Sequence, residues 1–188
     1  MKKALIAVGI IAVIVIVAIA SVSGAYNDMV EEQTEVEAAF ANIDTQLQRR
    51  ADLIPNLIET VKGAMAHEQD IINSVTEARA KYVGAGNAND KIAAAGELES
   101  ALARLMVVVE NYPEIKTNQN FTALQDELAG TENRIAVSRR DYNEAVGEYN
   151  KEIRTFPKNI LANMFGFEKM NYFEAADGAE KAPEVSFN

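Results

Sequence analysis

The sequence contains no cysteine and no tryptophan, and it has a single histidine among its 188 residues. Without cysteine it cannot form a disulfide, a thiolate metal site, a cysteine nucleophile or a lipid-modified cysteine. The histidine, His67, stands alone, with alanine at position 64. Paired Glu-x-x-His motifs, which hold di-iron and di-manganese centres in helical bundles, are therefore excluded. We expect no metal and no cofactor.

Catalytic motifs are also missing. His67 would have to serve as the base of a Ser-His-Asp site, but no nucleophile-elbow sequence accompanies it. The stretch 84–86 lacks the strand–turn–helix context of a phosphate loop, so we interpret it as a linker. We expect no catalytic residues, and we interpret His67 and Glu68 as a solvated or capping pair. An enzyme that uses a carboxylate pair is the remaining alternative, since 28 acidic residues are present and no pair stands out.

Basic residues are scarce, and the net charge is −10. Two of the 18 basic residues, Lys2 and Lys3, precede a long apolar run, so the rest of the chain has 16 basic against 28 acidic residues. Such a surface repels nucleic acid and anionic lipid headgroups. We therefore expect no nucleic-acid partner.

The apolar run extends from Ala4 to Ala20 with only Ala, Leu, Ile, Val and Gly, and it continues through small residues to Ala25. This length reaches the roughly 20 residues needed to cross about 30 Å of hydrocarbon. We predict a single-pass transmembrane helix in residues 1–25. A cleaved signal peptide is the alternative, although its apolar core usually has about 7 to 15 residues. Lys2 and Lys3 favour a cytoplasmic N-terminus with the acidic domain outside, and the opposite orientation is the alternative.

Beyond the membrane the apolar residues follow helical periods. Positions 26, 29, 33, 36, 40, 43 and 47 form a heptad-type seam typical of a coiled coil, in which Gln33 is the only polar member. This pattern predicts a helix A that ends near Arg50. A turn follows, with Asp52 as N-cap and Pro55 in the first turn of helix B. Helix B is expected to end near Tyr82.

Two further helices complete the expected fold. Helix C stops near Pro113, and helix D carries an apolar or aromatic residue at every seventh position from Phe121 to Phe156. No sustained strand-like alternation occurs. The pattern predicts an all-α protein in which the transmembrane helix continues into an elongated antiparallel four-helix bundle, residues 26–156.

A compact apolar segment follows Pro157, in residues 157–173. It either closes the open end of the bundle or lies at the membrane interface. Its candidate interfacial residues are Ile160, Leu161, Met164, Phe165 and Phe167. The remaining residues, 174–188, form an acidic tail that we expect to be disordered.

Polar residues cluster in two stretches that the bundle places together, around the A–B turn and early in helix D. One interpretation is a structural ion-pair network between helices A and D, and the other is a surface that docks a partner protein. Gly130, which costs about 1 kcal/mol relative to alanine inside a helix, indicates a close helix approach or a contact in this region. The candidate docking residues are Arg49, Arg50, Asp52, Asn56, Asp126, Glu132 and Arg134.

Motifs in these stretches resemble the LemA family, and the resemblance covers nearly the whole chain. In place of the tryptophan expected in this family, position 40 has phenylalanine, which keeps the apolar role. The motifs are Tyr26-Asn27, Ile43-Asp44-Thr45-Gln46-Leu47-Gln48-Arg49-Arg50, Asp52-Leu53-Ile54-Pro55-Asn56-Leu57, Thr60-Val61-Lys62-Gly63, His67-Glu68, Ala78-Arg79, Gly130-Thr131-Glu132-Asn133-Arg134-Ile135-Ala136, Arg140-Asp141-Tyr142-Asn143-Glu144-Ala145-Val146, Phe165-Gly166-Phe167 and Tyr172-Phe173-Glu174-Ala175.

The resemblance implies a bacterial single-pass membrane protein with a helical-bundle domain, no established enzymatic activity and no catalytic residues. A magnetosome membrane protein is similar to the same family, which implies a role in membrane organisation. Our leading hypothesis is a non-enzymatic, membrane-anchored scaffold or adaptor of the cell envelope that docks another protein. The alternative is a membrane organiser that assembles with copies of itself through its helix faces and the segment from Ile160 to Phe167.

Overall fold

The computed structural model describes residues 2–173, which contain six helices and no strand. The predicted all-α class is confirmed. The predicted tail, residues 174–188, lies outside the described residues. The helices are α1 (Lys2–Lys62), α2 (Gln69–Gly84), α3 (Ala88–Val109), α4 (Pro113–Lys116), α5 (Gln119–Glu152) and α6 (Lys158–Phe165).

The first part of α1 has an apolar surface that no other part of the described chain covers. The large apolar side chains that the structure describes from Leu5 to Ile19 are all at least 49% exposed. By length and composition, α1 is the one helix in residues 2–173 that can cross a membrane. Exposing such a surface to water is unfavourable, whereas the hydrocarbon of a membrane accommodates it.

The predicted turn between helices A and B is wrong. Helix α1 continues through Asp52 and Pro55 and ends at Lys62. The chain leaves the helix at residues 63–68 instead, so the predicted helix B is divided between the end of α1 and α2. The apolar face continues across the proline, with Ile54, Leu57 and Val61 fully buried. Burial of this face outweighs the local preference of Pro55 for a helix start.

A hydrogen bond from another helix also compensates for Pro55. Proline has no N–H, so inside a helix it leaves the carbonyl of the fourth preceding residue without its usual donor. That residue is Ala51, and its carbonyl accepts a hydrogen bond from Arg79 Nε at 2.7 Å. A guanidinium from α2 therefore replaces the missing backbone donor.

The chain divides into two compact units. Among the described residues, the first comprises residues 2–39 and 142–172, and the second comprises residues 40–141 and 173. Helices α1 and α5 each contribute residues to both units, while α2, α3 and α4 belong to the second.

Side chains from four helices fill the core of the second unit. Polar contacts connect three of these helices, α1, α2 and α3: the Tyr82 hydroxyl donates to the Asp44 carboxylate at 2.7 Å, and Lys91 pairs with the same carboxylate at 2.6 Å. Burial and the bond to Asp44 raise the pKa of Tyr82, so its hydroxyl stays protonated and remains a donor. The largest fully buried side chains are Ile43, Leu47, Ile54, Leu57, Met65, Tyr82, Leu98, Leu105, Phe121 and Ile135.

In the first unit, α5 holds the segment that follows α6. The Tyr149 hydroxyl donates to the Glu168 carbonyl at 3.0 Å, and the Tyr142 hydroxyl donates to the Asn171 carbonyl at 2.9 Å. Between them, the Asn150 amide donates to the Met170 carbonyl and accepts from the Met170 N–H, both at 2.9 Å. Side chains of α5 thus hold the backbone of residues 168–171 along the helix.

The role of Arg79 can be measured with a double-mutant cycle. We expect Arg79→Met to lower the free energy of unfolding by about 1–3 kcal/mol, because the Ala51 carbonyl then lacks its donor. In a Pro55→Ala background the restored N–H can bond that carbonyl, so Arg79→Met should cost markedly less. Thermal unfolding of the full chain in mild detergent, monitored by circular dichroism, measures the coupling free energy between Pro55 and Arg79. Equal costs in both backgrounds would contradict this explanation.

Candidate functional site

The predicted docking residues lie in the second unit, on α1 and α5. Arg49 and Arg50 are adjacent in sequence but differ in environment. Arg49 is exposed and pairs with Glu127 at 3.0 Å. Arg50 is only 4% exposed, and its guanidinium pairs with Glu132. The structure therefore contains the A–D ion pairs that were one interpretation of these residues.

Arg50 also contacts a buried hydroxyl. Its Nε lies 3.5 Å from Thr131 Oγ1, and Thr131 is fully buried. The Thr131 hydroxyl donates its own proton to the Leu128 carbonyl at 2.8 Å, which leaves the oxygen as an acceptor for Arg50. Arg50 is thus held by partners on both sides within the unit.

The other candidate docking residues are more accessible. Asp52, Asn56, Asp126 and Arg134 are exposed, and Asp52 accepts a hydrogen bond from Gln48 at 2.9 Å. Gly130 does not mark a close helix approach. A Cβ built there would meet only the guanidinium of Arg134, at 3.9 Å and from the same helix.

A groove lies beside Arg50, between α3 and α5, with a volume of about 340 Å³. Leu102, Met106 and Leu128 supply much of its apolar lining, together with the exposed alanines Ala103 and Ala129. Its polar lining consists of Arg50, Glu99, Gln125 and Glu132. The sequence did not reveal this groove, because its two walls come from residues far apart in the chain.

The predicted interfacial segment forms α6 and its C-terminal turn in the first unit. Ile160, Met164 and Phe165 are exposed, whereas Leu161 and Phe167 are half-buried. The exposed fractions of Ile160 and Met164 are 57% and 64%, and Phe156 before the helix reaches 77%. The segment therefore presents an apolar face to its surroundings.

Aromatic contacts connect this segment to the end of the apolar run. The ring of Tyr26 lies 5.0 Å from the ring of Phe165 and 5.7 Å from that of Phe167, both edge to face. Gly166 allows this approach, because it ends α6 at a φ of 79°, which other residues rarely adopt. The segment is thereby fixed beside the residue at which α1 ceases to be purely apolar.

A group of carboxylates in the first unit was missed by the sequence analysis. Oxygens of Glu32 and Glu35 on α1 and of Glu148 on α5 lie within 4.8 Å of one another. Partial burial raises the pKa of Glu32, and Glu35 and Glu148 raise it further. Three partly or fully exposed carboxylates fall short of the roughly six to eight oxygen ligands of Ca²⁺. The main effect of this cluster is therefore mutual repulsion between the three negative charges.

A second cavity in the first unit was also missed. It has a volume of about 430 Å³ and lies at the C-terminal end of α5. Its lining residues are Gly147, Asn150, Lys151, Arg154, Thr155 and Tyr172. The sequence signal that could have indicated it is the pair of cations, Lys151 and Arg154, next to the apolar segment.

The difference between Arg50 and Arg49 can be measured by neutral replacement. We expect Arg50→Met to lower the free energy of unfolding by about 1–3 kcal/mol, because it removes charge-assisted bonds to Glu132 and Thr131. The matched change Arg49→Met should stay within about 0.5 kcal/mol, since its ion pair is exposed. Thermal unfolding of the full chain in detergent provides the comparison. Equal losses would contradict a structural role specific to Arg50.

The cluster of carboxylates from Glu32, Glu35 and Glu148 should make the stability of the protein depend on pH. Folding raises the pKa of the Glu32 carboxyl above its ordinary value of 4.5. As pH rises past 4.5, the unfolded chain therefore loses the Glu32 proton at a lower pH than the folded chain does. The free energy of unfolding decreases over this pH range. We expect Glu32→Gln to raise the melting temperature at pH 7 and to have little effect at pH 4. Glu77→Gln, which removes an exposed charge from α2, is the control. A gain at pH 4 equal to that at pH 7 would refute the electrostatic explanation.

Comparison with known proteins gives several relatives. A model of the LemA family matches residues 39–187. Magnetosome proteins MamQ 1 and MamQ 2 of Paramagnetospirillum magneticum are each 31% identical over 192 residues, covering 88% of this chain and 71% of the relative. Magnetosome protein MamQ of Magnetospirillum gryphiswaldense is 27% identical and covers 79% of this chain and 64% of its own length. Protein LemA of Metamycoplasma hominis is 21% identical, with coverage of 82% and 71%.

These matches confirm the resemblance seen in the sequence motifs. The family match spans most of the chain, from the part of α1 beyond the apolar run through the tail. With the apolar start of α1, it favours a membrane-associated protein. The chain belongs to the LemA family.

Proposed function

We propose that this chain is a non-enzymatic, membrane-anchored adaptor of the bacterial envelope that docks a partner protein through its second unit. The observation that carries the proposal is the groove between α3 and α5. It combines an apolar lining, from Leu102, Met106 and Leu128, with a polar lining that includes two carboxylates, Glu99 and Glu132. Binding sites typically pair an apolar surface with a few polar groups that orient the occupant.

The proposal also includes a membrane-spanning anchor at the start of α1 and a four-helix bundle in the second unit. The apolar start of α1 spans the membrane, with Lys2 and Lys3 on the cytoplasmic side and the second unit outside. Helices α1, α2, α3 and α5 form an antiparallel four-helix bundle in that unit. The connections at residues 63–68, 85–87 and 110–118 support this arrangement, because short connections join antiparallel neighbours.

The occupant of the groove is an amphipathic helix with basic flanks. A helix laid into a groove contributes apolar side chains at a spacing of three and four residues. Its flanks are basic because the chain is acidic overall, at −10, and because exposed carboxylates such as Asp126 lie on α5 near the groove. Charge complementarity of this kind mainly sets orientation and the rate of association. Arg49, Asp52, Asn56 and Arg134 are the other exposed residues offered to such a partner.

A bulky residue in the groove tests the docking proposal. Ala103 is exposed and lines the groove, so Ala103→Arg should block docking and leave the fold intact. We expect a stoichiometric partner to copurify with the tagged full-length protein after gentle detergent extraction and to be lost from this variant. Sizing and mass spectrometry detect the partner, and circular dichroism checks helicity.

Ala80→Arg, at an exposed position on α2, is the matched control and should retain the partner. Asp126→Lys, which reverses an exposed negative charge on α5, should weaken the complex with a basic partner without loss of helix. A partner that stays bound to the Ala103→Arg variant would contradict docking in the groove.

A second candidate function is a membrane organiser that assembles with copies of itself. The exposed apolar face of Phe156, Ile160 and Met164 favours it, and so do relatives whose names identify them as magnetosome proteins. In the same extraction, a large species made only of this chain supports the organiser and argues against the adaptor.

A further inference from the structure

The cavity at the C-terminal end of α5 is formed by a glycine and by the segment fixed along the helix. Asn150 holds Met170 through two hydrogen bonds, and this places Tyr172 over Gly147. The Tyr172 hydroxyl lies 3.7 Å from the position that a Cβ would occupy at residue 147. Because glycine has no side chain, a space of about 430 Å³ stays open between the helix and the segment.

The polar groups of this cavity are suited to an anion. Lys151 and Arg154 line it, and neither takes part in an ion pair within residues 2–173. The Asn150 amide is engaged by Met170, and the Thr155 hydroxyl donates to the Lys151 carbonyl at 2.8 Å. The ammonium, the guanidinium and the Tyr172 phenol therefore remain as donors. Two cations with a hydroxyl form a typical set of donors to phosphate.

An ion-pair network links the end of α5, which forms one wall of the cavity, to α1 just beyond the apolar run. Lys158 binds Asp28 at 2.8 Å and also binds Glu152. Asp28 is the first charged residue after the apolar run, and Glu152 lies between Lys151 and Arg154 in sequence. Lys151 and Arg154 therefore flank, in the sequence, a residue that is linked to α1 just beyond its apolar run.

Apolar side chains follow the two cations in the sequence. Phe156 comes two residues after Arg154, Ile160 and Met164 lie four residues apart on α6, and all three are mainly exposed. Residues 151–169 contain four basic and two acidic residues, whereas the whole chain has a net charge of −10. An exposed apolar face flanked by Lys and Arg is typical of segments that lie in the membrane interface. The acidic chain as a whole repels anionic lipid headgroups, but residues 151–169 carry a net positive charge and attract them.

We propose that this cavity binds the phosphate group of an anionic phospholipid, with Lys151 and Arg154 as its ligands. The lipid headgroup enters between α5 and Tyr172, while Phe156, Ile160 and Met164 contact the acyl chains next to it. The site belongs to the first unit and does not depend on a partner in the groove of the second unit.

Lipid binding to the full chain in nonionic detergent tests the proposal. Native mass spectrometry can count bound dioctanoyl-phosphatidylglycerol as its concentration rises, with dioctanoyl-phosphatidylcholine as the zwitterionic comparison. We expect the Lys151→Gln/Arg154→Gln variant to raise the dissociation constant about 30-fold, at about 1 kcal/mol for each cation. Lys62→Gln/Arg104→Gln removes the same charge from the second unit and should change it less than about twofold.

Three results would overturn the proposal. The first is equal binding of phosphatidylglycerol by the wild type and the Lys151→Gln/Arg154→Gln variant. The second is displacement of the lipid by inorganic phosphate at a similar concentration, which would assign the site to a free anion. The third concerns Gly147→Leu, which fills the cavity and keeps both cations: undiminished binding would show that the cations attract lipid without the cavity. Circular dichroism confirms that each variant is folded.

Discussion

A single helix must satisfy two different surroundings, and the rest of the structure depends on how it does so. Residues 4–20 of α1 are apolar on every side, whereas from Met29 onward only one face is apolar and buried. At this transition Tyr26 contacts two phenylalanine rings and Asp28 binds Lys158. These contacts fix α6 and the end of α5 where the helix changes character. The same helix then continues to Lys62 and supplies buried side chains to the second unit.

The two units carry different chemistry. In the second unit, Arg50 is buried and ion-paired, and the groove beside it is the docking surface that we propose. In the first unit, Phe156, Ile160 and Met164 expose apolar surface, and Lys151 and Arg154 form no ion pair within residues 2–173. Carboxylates such as Glu32 and Glu148 on the same unit repel one another. In our two proposals, attachment to lipid and recognition of protein therefore use separate surfaces.

The sequence predicted those features that arise from neighbouring residues or from family motifs. The apolar run, the all-α class and the apolar segment around Ile160 follow from local patterns. Pro55 was misleading, because its preference for a helix start is local, whereas the Arg79 donor and the buried face that keep α1 continuous come from tertiary packing. The groove, the carboxylates and the cation cavity were missed for the same reason. Each brings together residues that are far apart in the chain, such as Leu102 with Leu128 or Gly147 with Tyr172.

The position of Phe156 relative to the bilayer tests the central claim most directly, namely that the end of α5 and α6 lie in the lipid interface. The chain has no tryptophan, so Phe156→Trp provides a single fluorescent reporter in the full-length protein reconstituted in vesicles. Lipids brominated at different depths quench tryptophan by contact. We predict strong quenching by bromines near the glycerol backbone and weaker quenching by those near the bilayer centre. A tryptophan that no brominated lipid quenches, and that aqueous iodide quenches freely, would contradict the claim.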